Sequence, residues 1–392
     1  MSILAAHANY LRVRSGHEHS RVTYIELFFD LVFVFAVTQF SHGLLEHLTP
    51  LGALQTAILM LAVWWTWIDT AWITNWLDPE KAPVRLMLIA LMLAGLVASA
   101  SIPKAFETQA VPFALAYASM MIGPKLFMLW ALKRQGGGSY RNFVRITIWR
   151  AMGAACWIAG AFADPQVRLF VWMLALAIDT GAPIVAFRLP GLGRSAISDW
   201  DVEGGHLAER CALFVIIALG ESVLVTGATS AALQVTAMNL AAFASAFIGS
   251  VAMWSVYFNI GAERSSRVLA TSDEPGRLAR SGYTYMHIPI VAGIIVAAVA
   301  DELVLRHPGG HTDVKTAAVI LGGPALYLLG NLLFKRLSAR YPPLSHMIGL
   351  ALLALLVPAA FIAPPLALSA GATGALIFVA VWEWWSLGRG KA

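Results

Sequence analysis

The chain has 392 residues, of which 59% are hydrophobic and only 12% are charged, and its formal net charge is +5. This composition excludes an ordinary soluble domain. Because a helix needs about 20 apolar residues to cross a hydrocarbon layer of about 30 Å, we predict an all-α, polytopic integral membrane protein.

Apolar windows separated by short polar loops predict about twelve membrane helices. They cover roughly residues 24–43, 51–75, 84–102, 111–132, 143–163, 166–187, 208–228, 236–260, 282–303, 314–335, 345–362 and 365–386. The first 22 residues lack a continuous apolar core and a cleavage site, so they do not resemble a signal peptide. We expect them to form a cytoplasmic tail.

The basic residues indicate the orientation of the helices. With a cytoplasmic N-terminus, 22 lysines and arginines fall on the inner side or at inner helix ends. Four fall outside, namely Lys104, Arg168, Arg306 and Lys315. The positive-inside rule therefore places both termini in the cytoplasm. The excess of positive charge favours membrane lipids as partners and no nucleic acid.

The polar stretch PGLGRSAISDWDVEGGH, Pro190 to His206, predicts a boundary between two halves. We expect a tail over 1–22, a first six-helix half over 23–195 and a second over 196–392. Six helices return the chain to its starting side, so repeats of six would be parallel. Similarity between the halves is weak, and the sequence leaves open whether they are repeats.

The first apolar run contains two carboxylates, Glu26 and Asp30, four residues apart on one helical face. Glu26 lies where a carboxylate stabilises a helix N-terminus at the headgroup level. Asp30 is one turn deeper, where an ionisable group normally faces a partner or water. We predict a buried ion pair or a proton site at Asp30.

The second apolar run places Trp65, Asp69 and Trp72 on one face. Indole faces attract cations, so we predict that this face forms one wall of a substrate-binding site. We expect Lys125, from the fourth apolar run, to belong to the same site. The alternative is packing and anchoring of tryptophans at the membrane interface.

Asp179 and His287 are further candidates for proton or ion coupling. Glycine and proline follow Asp179 (Gly181–Pro183) and precede Lys125 (Gly123–Pro124), and broken helices of this kind line transport sites. Lys125 needs a counter-charge, for which Asp30, Asp69 and Asp179 all remain open. A single intramembrane histidine such as His287 is alternatively a packing residue.

Glu221, within ALGES, follows a nearly unbroken apolar run. A buried carboxylic acid there can bind and release a proton near neutral pH. The alternative is a neutral glutamic acid that hydrogen-bonds neighbouring helices. At the start of the same helix, His206, Glu209 and Arg210 are predicted to form an inner-face polar cluster with Glu26, although Arg210 also fits an interfacial anchor.

Other chemistry is weakly indicated. His17 and His19 in the tail are poor evidence for a metal site, and Cys156 and Cys211 have no metal or disulfide spacing. No phosphate loop, nucleophile elbow or zinc motif is present. We therefore predict no catalytic residue, no metal and no cofactor.

The runs ELFFDLVFVFAVTQFSH (Glu26 to His42) and HLAERCALFVIIALGES (His206 to Ser222) resemble the bacterial low temperature requirement protein A family. The similarity continues through WWTWIDTAWITNWLD and YTYMHIP. This resemblance implies a multi-pass inner-membrane protein, and it brings no settled substrate or reaction.

The sequence supports two candidate functions. The first is a secondary transporter of a small solute, with proton coupling through buried carboxylates. The second is an intramembrane enzyme, or a scaffold, that acts on lipids or lipid-linked substrates. Because acids deep in the helices suit the first, an enzyme is the less favoured reading, and the oligomeric state stays open.

Overall fold

A computed structural model describes residues 10–12, 21–133, 137–196, 203–259, 279–338 and 343–388. Within these ranges the chain forms twelve α-helices and no named strand. The helices are α1 (Tyr24–Glu46), α2 (Pro50–Trp76), α3 (Ala82–Ser101), α4 (Ala110–Leu132), α5 (Gly137–Ala161), α6 (Pro165–Gly181), α7 (Gly204–Ala231), α8 (Ala237–Phe258), α9 (His287–Arg306), α10 (Val314–Ser338), α11 (Leu344–Leu355) and α12 (Pro365–Gly388). The all-α prediction is confirmed for the described residues.

Ten helical segments of the described chain are long and apolar enough to cross a membrane. The two helices that do not qualify are α5 and α6. Three arginines, Arg141, Arg145 and Arg150, lower the hydropathy of α5, and α6 has only 17 residues. The prediction of about twelve crossings is therefore not confirmed, and neither is the idea of two six-helix repeats.

The described residues divide into two compact units that are discontinuous along the chain. The first contains the residues up to Ala36 and Ile58–Leu207, and the second contains Val37–Ala57 and the residues from Ala208 onward. The predicted boundary between residues 195 and 196 stays a prediction. His17, His19 and residues 197–202 of the predicted boundary segment lie outside the described residues.

The first unit has an apolar core between α2, α3, α4, α5 and the turn after α6. Its buried members are Ile73, Leu77, Val84, Met128, Leu132, Phe143, Ile146, Ala182 and Phe187. At the opposite end of α6, buried Arg168 donates to backbone carbonyls at the end of α5 and before α4, including those of Phe106 at 2.6 Å and Ala163 at 3.0 Å. These carbonyls stabilise a guanidinium group within an apolar region.

The prolines near the candidate site residues behave differently from one another. α4 continues through Pro124, so the expected break before Lys125 is wrong. Prolines are tolerated in membrane helices because neighbouring groups compensate for the one missing N–H. By contrast, α6 ends at Gly181, and the following turn holds Phe187 in the left-handed region at φ 48°.

Hydrogen-bonding side chains begin two helices of the second unit. The Thr236 hydroxyl accepts the N–H of Asn239 at the start of α8. The Asp313 carboxylate accepts the N–H of Thr316 at 2.8 Å, just before α10. Hydrogen bonds from the Thr316 hydroxyl and N–H hold the pKa of Asp313 below its usual range.

Helices α9 and α10 of the second unit approach each other at their backbones. A Cβ atom added at Gly323 would lie 2.7 Å from the nitrogen of Ala297, and one added at Gly293 would lie 2.5 Å from the nitrogen of Tyr327. Small residues allow membrane helices to pack at such distances. Glycines at these positions therefore allow the backbones of α9 and α10 to come into contact.

We expect Gly323→Ala to destabilise the second unit by at least about 1–3 kcal/mol, because its methyl group collides with the backbone of α9. Gly322→Ala is the matched control, since its methyl group meets nothing within 4 Å. Thermal unfolding in detergent measures both. Equal melting temperatures for the two variants would contradict the close backbone contact.

Candidate functional site

Four helices of the first unit bring four charged side chains into one network. Lys125 on α4 forms an ion pair with Asp69 on α2. Arg150 on α5 reaches the other oxygen of Asp69 at 3.0 Å. The same guanidinium group lies 3.4 Å from the Asp179 carboxylate on α6 and 2.8 Å from the carbonyl oxygen of Asp179. The two positive and two negative formal charges balance within the network.

Several hydrogen-bond donors surround the carboxylate of Asp179. Its Oδ2 atom accepts the Tyr117 hydroxyl at 2.7 Å and the Trp157 indole N–H at 3.2 Å, in addition to the contacts with Arg150. A Cβ atom at Gly153 would lie 2.5 Å from its Oδ1 atom, so α5 needs glycine there for the carboxylate to fit. These donors fix the orientation of the Asp179 carboxyl group.

The predicted tryptophan face of α2 contacts a cation that belongs to the chain itself. The Arg150 guanidinium carbon lies 5.8 Å from the centroid of Trp65 and 5.7 Å from that of Phe187. Trp65 is buried, and Trp72 is half-buried. The side chain of Asp69 is 13% exposed, against 3% for Arg150, so Asp69 is the more accessible member.

A second polar cluster lies where α1 and α7 begin. The fully buried Glu26 contacts Arg12 at 3.0 Å and His206 at 2.9 Å. It also accepts the N–H and the hydroxyl of Thr23, which begins the helix. Asn75 at the end of α2 lies 3.4 Å from the other ring nitrogen of His206. Glu26 therefore caps α1 and is ion-paired at the same time.

The remaining members predicted for these clusters have different surroundings. Asp30 is fully buried and accepts the indole N–H of Trp67 at 2.7 Å. Glu209 is exposed and Arg210 is fully buried, and both belong to the second unit. Their predicted grouping with Glu26 stays a prediction.

In the second unit, Glu221 on α7 is only 3% exposed. It accepts a hydrogen bond from the Thr38 hydroxyl, and its electrostatic partner His42 lies one turn further along α1 on an exposed position. No lysine or arginine of the described chain is within ion-pair distance of Glu221. Its environment therefore differs from that of the compensated acids in the first unit.

His287 is fully buried between two partners. Its Nδ1 atom lies 2.9 Å from the carbonyl oxygen of Gly282 and its Nε2 atom 2.7 Å from the hydroxyl of Tyr257. A carbonyl oxygen only accepts, so Nδ1 carries the proton and Nε2 accepts from the tyrosine. A neutral imidazole satisfies both contacts, which favours the packing alternative over the relay.

Sequence reasoning missed several ionisable groups. Arg150, the centre of the first network, was assigned to an inner helix end. Lys335 on α10 was assigned likewise, yet it is buried, 2.7 Å from Glu383 on α12. Asp301 on α9 was not considered, although it follows the apolar run from Ile288 to Ala300, which is the signal that identified Glu221.

The described residues contain no group of three histidine, cysteine or acidic side chains that suits a metal ion. A groove of about 430 Å³ lies on α3 and α4, and its lining is apolar. It is formed by Met87, Ala90, Leu91, Ala94, Ser119, Gly123, Phe127 and Trp130. None of the charged candidates contributes to it.

Comparison with known proteins shows which family the chain resembles along its length. Residues 21–381 match the family of bacterial low temperature requirement A proteins. A protein of Rhizobium meliloti (strain 1021), described as uncharacterized, is 38% identical over 389 residues, which are 98% of this chain and 94% of the relative. No solved structure matches this chain. The family match includes the whole four-charge network.

The network predicts a non-additive response to mutation. Lys125→Met leaves Asp69 under-compensated in an apolar region, so we expect a loss of about 3–5 kcal/mol in unfolding free energy. The second substitution, Asp69→Asn, removes the excess negative charge that Lys125→Met leaves in the network. It should therefore restore part of the lost stability. Thermal unfolding of the single and double variants in detergent measures the coupling.

Arg85→Met is the control for this comparison, because Arg85 forms an exposed ion pair with Glu80 that contributes little. A double variant whose loss equals the sum of the single losses would contradict the network.

Proposed function

Because the chain belongs to the bacterial low temperature requirement A protein family and is an integral membrane protein, we propose that it is a proton-coupled secondary transporter of a small solute. The proposal places it in the inner membrane with both termini in the cytoplasm. The asymmetric distribution of lysine and arginine supports this orientation.

The observation that carries the proposal is the ion pair between Asp69 and Lys125 within membrane helices. A lone charge at such a position costs at least about 2.5–3.5 kcal/mol, so charged groups there are expected to serve a site. Asp69 is 13% exposed while Lys125 is 1% exposed, so one partner of the pair is open to an incoming group. A solute with a charged group can therefore reach Asp69, whereas Lys125 is shielded behind it.

The surroundings of this pair favour an amphiphilic or charged solute. Arg150 remains bound to Asp179 when Asp69 changes partner, so the network keeps one fixed cation. Trp65 contacts the Arg150 guanidinium group of the network and presents a rigid apolar surface beside it. Trp72 is seven residues later, which places it two turns further along the same face of α2. We assign Asp69, Lys125, Trp65 and Trp72 to solute binding.

Proton coupling is assigned first to Glu221. A buried carboxylate without a fixed cation is most stable as the protonated acid, and it ionises when water or a cation reaches it. Asp179, by contrast, is held by a guanidinium group and two further donors, so it lacks the freedom to exchange partners that a coupling group needs. The contacts therefore support Glu221 as the coupling group over Asp179 and His287, with Asp30 as the further candidate.

The alternative function, an enzyme that acts on lipids or lipid-linked substrates, is supported by a different observation. Glu26, Arg12 and His206 lie together at helix ends, where headgroups are located in the proposed orientation. An imidazole beside a carboxylate can serve acid–base chemistry. Lipid profiling of membranes with and without the protein tests this alternative, and unchanged lipids would count against it.

The transport proposal is tested by proton flux into liposomes that contain the purified protein and an internal pH dye. A panel of small cationic, anionic and zwitterionic solutes is added outside. We expect at least one solute to drive a pH change with wild-type protein, and we expect Glu221→Gln to reduce that change to the level of empty liposomes. Glutamine keeps a hydrogen bond to Thr38 but cannot carry the proton.

Glu46→Gln is the matched control, because it removes an exposed carboxylate from α1 and should leave the flux unchanged. Solute-driven proton flux that persists in folded Glu221→Gln protein would overturn the assignment of the coupling residue. A panel without any response from folded wild-type protein would overturn the transporter.

A further inference from the structure

Three helices of the second unit bring oxygen atoms together around Asp301. The Asp301 carboxylate on α9 accepts a hydrogen bond from the Ser222 hydroxyl on α7. The same hydroxyl lies 3.4 Å from the hydroxyl of Ser250 on α8. Ser222 is fully buried and Ser250 is 5% exposed. The cluster contains hydroxyl and carboxylate oxygens and no nitrogen donor.

Thr226 adds an unsatisfied group to this region. It lies four residues after Ser222 and so occupies the same face of α7 one turn away. Its side chain is buried, at 3% exposure, and its hydroxyl oxygen has no hydrogen-bond partner among the described residues. A buried hydroxyl without a partner is destabilising by about 1–3 kcal/mol, which a bound ligand would offset.

The charge of Asp301 is not compensated by the described part of the protein. No lysine, arginine or histidine there lies within ion-pair distance of its carboxylate, whereas the next residue, Glu302, is bound by Arg306 at 2.6 Å. One negative charge in an apolar region attracts one cation. The neighbouring arginine is thus already engaged elsewhere.

We propose that Asp301, Ser222, Ser250 and Thr226 form a binding site for a single small monovalent cation, namely Na⁺. Hard cations prefer carboxylate and hydroxyl oxygens. One carboxylate balances a monovalent ion, whereas a divalent ion would require further acidic ligands. Four side-chain oxygens from three helices also suit Na⁺ better than K⁺, which is bound by larger sets of carbonyl oxygens.

This site would supply a second coupling ion beside the proton at Glu221, and that role rests on the proposed function, whereas the binding of Na⁺ does not. Ser222, which contacts Asp301, is adjacent in sequence to Glu221. A cation bound between Asp301 on α9 and Ser222 on α7 would therefore contact the residue that follows Glu221, the proposed proton site, on α7. Membrane transporters bind their coupling ions between helices in this manner.

The experiment uses purified full-length protein in detergent. Its thermal unfolding is recorded in NaCl and in choline chloride at equal ionic strength, and binding of radioactive Na⁺ is measured directly. Because a ligand that binds only the folded state raises the melting temperature, we expect a higher value in NaCl. Asp301→Asn should weaken Na⁺ binding about tenfold or more, since it removes the charged ligand.

Glu302→Gln is the matched control, because it removes the adjacent carboxylate and should leave Na⁺ binding unchanged. If Asp301→Asn does not fold, Thr226→Val and Ser250→Ala test the same site, and each should weaken binding. Equal melting temperatures of the wild type in the two salts would overturn the proposal, as would unchanged Na⁺ binding in Asp301→Asn. Na⁺ binding by a protein that moves no protons in liposomes would overturn the transporter and keep this site.

Discussion

Arg150 lies between Asp69 and Asp179, and the polar interior of the first unit depends on that position. Its guanidinium group reaches Asp69 at 3.0 Å while it also accommodates the carboxylate and the carbonyl of Asp179. Without it, two carboxylates would face a single ammonium group from Lys125. A planar group with several donors is suited to such bridging, which a lysine could not perform. Four helices pack around the Arg150 guanidinium group, and this packing keeps each of the four charges paired.

The two units differ in the groups that contact their buried carboxylates. In the first, carboxylates face cations and further donors, as Glu26 and Asp179 do. In the second, Lys335 and Glu383 form a compensated pair, whereas Glu221 and Asp301 contact hydroxyl groups. A carboxylate between fixed cations is held in place, whereas one that accepts hydrogen bonds from hydroxyl groups can bind a proton or a cation. This contrast is the physical basis for the division between a solute-binding network and coupling positions.

The sequence predicted the helices well, because hydrophobic windows and short loops are local signals. It also identified Asp69, Lys125 and Asp179 as unusual, because single charges within apolar runs are easily recognised. The partner of Lys125 could not be chosen from the sequence, since Asp69 is distant along the chain and the choice depends on how α2 and α4 pack. Arg150 was missed because an arginine near a loop was counted as evidence for orientation. The predicted count of about twelve crossings is not confirmed, because α5 contains three arginines and α6 is short.

Proton coupling in the proposed function depends on one carboxyl group, Glu221, that exchanges a proton, whereas the carboxylate of Asp179 is held in place by Arg150, Tyr117 and Trp157. Infrared difference spectra of protein reconstituted in lipid, recorded between mildly acidic and mildly alkaline pH, report protonated carboxyl groups directly. We predict a protonated carboxyl band that is reduced in Glu221→Gln and is unchanged in Asp179→Asn. A band that persists in Glu221→Gln and disappears in Asp179→Asn would contradict the assignment of Glu221 as the coupling residue.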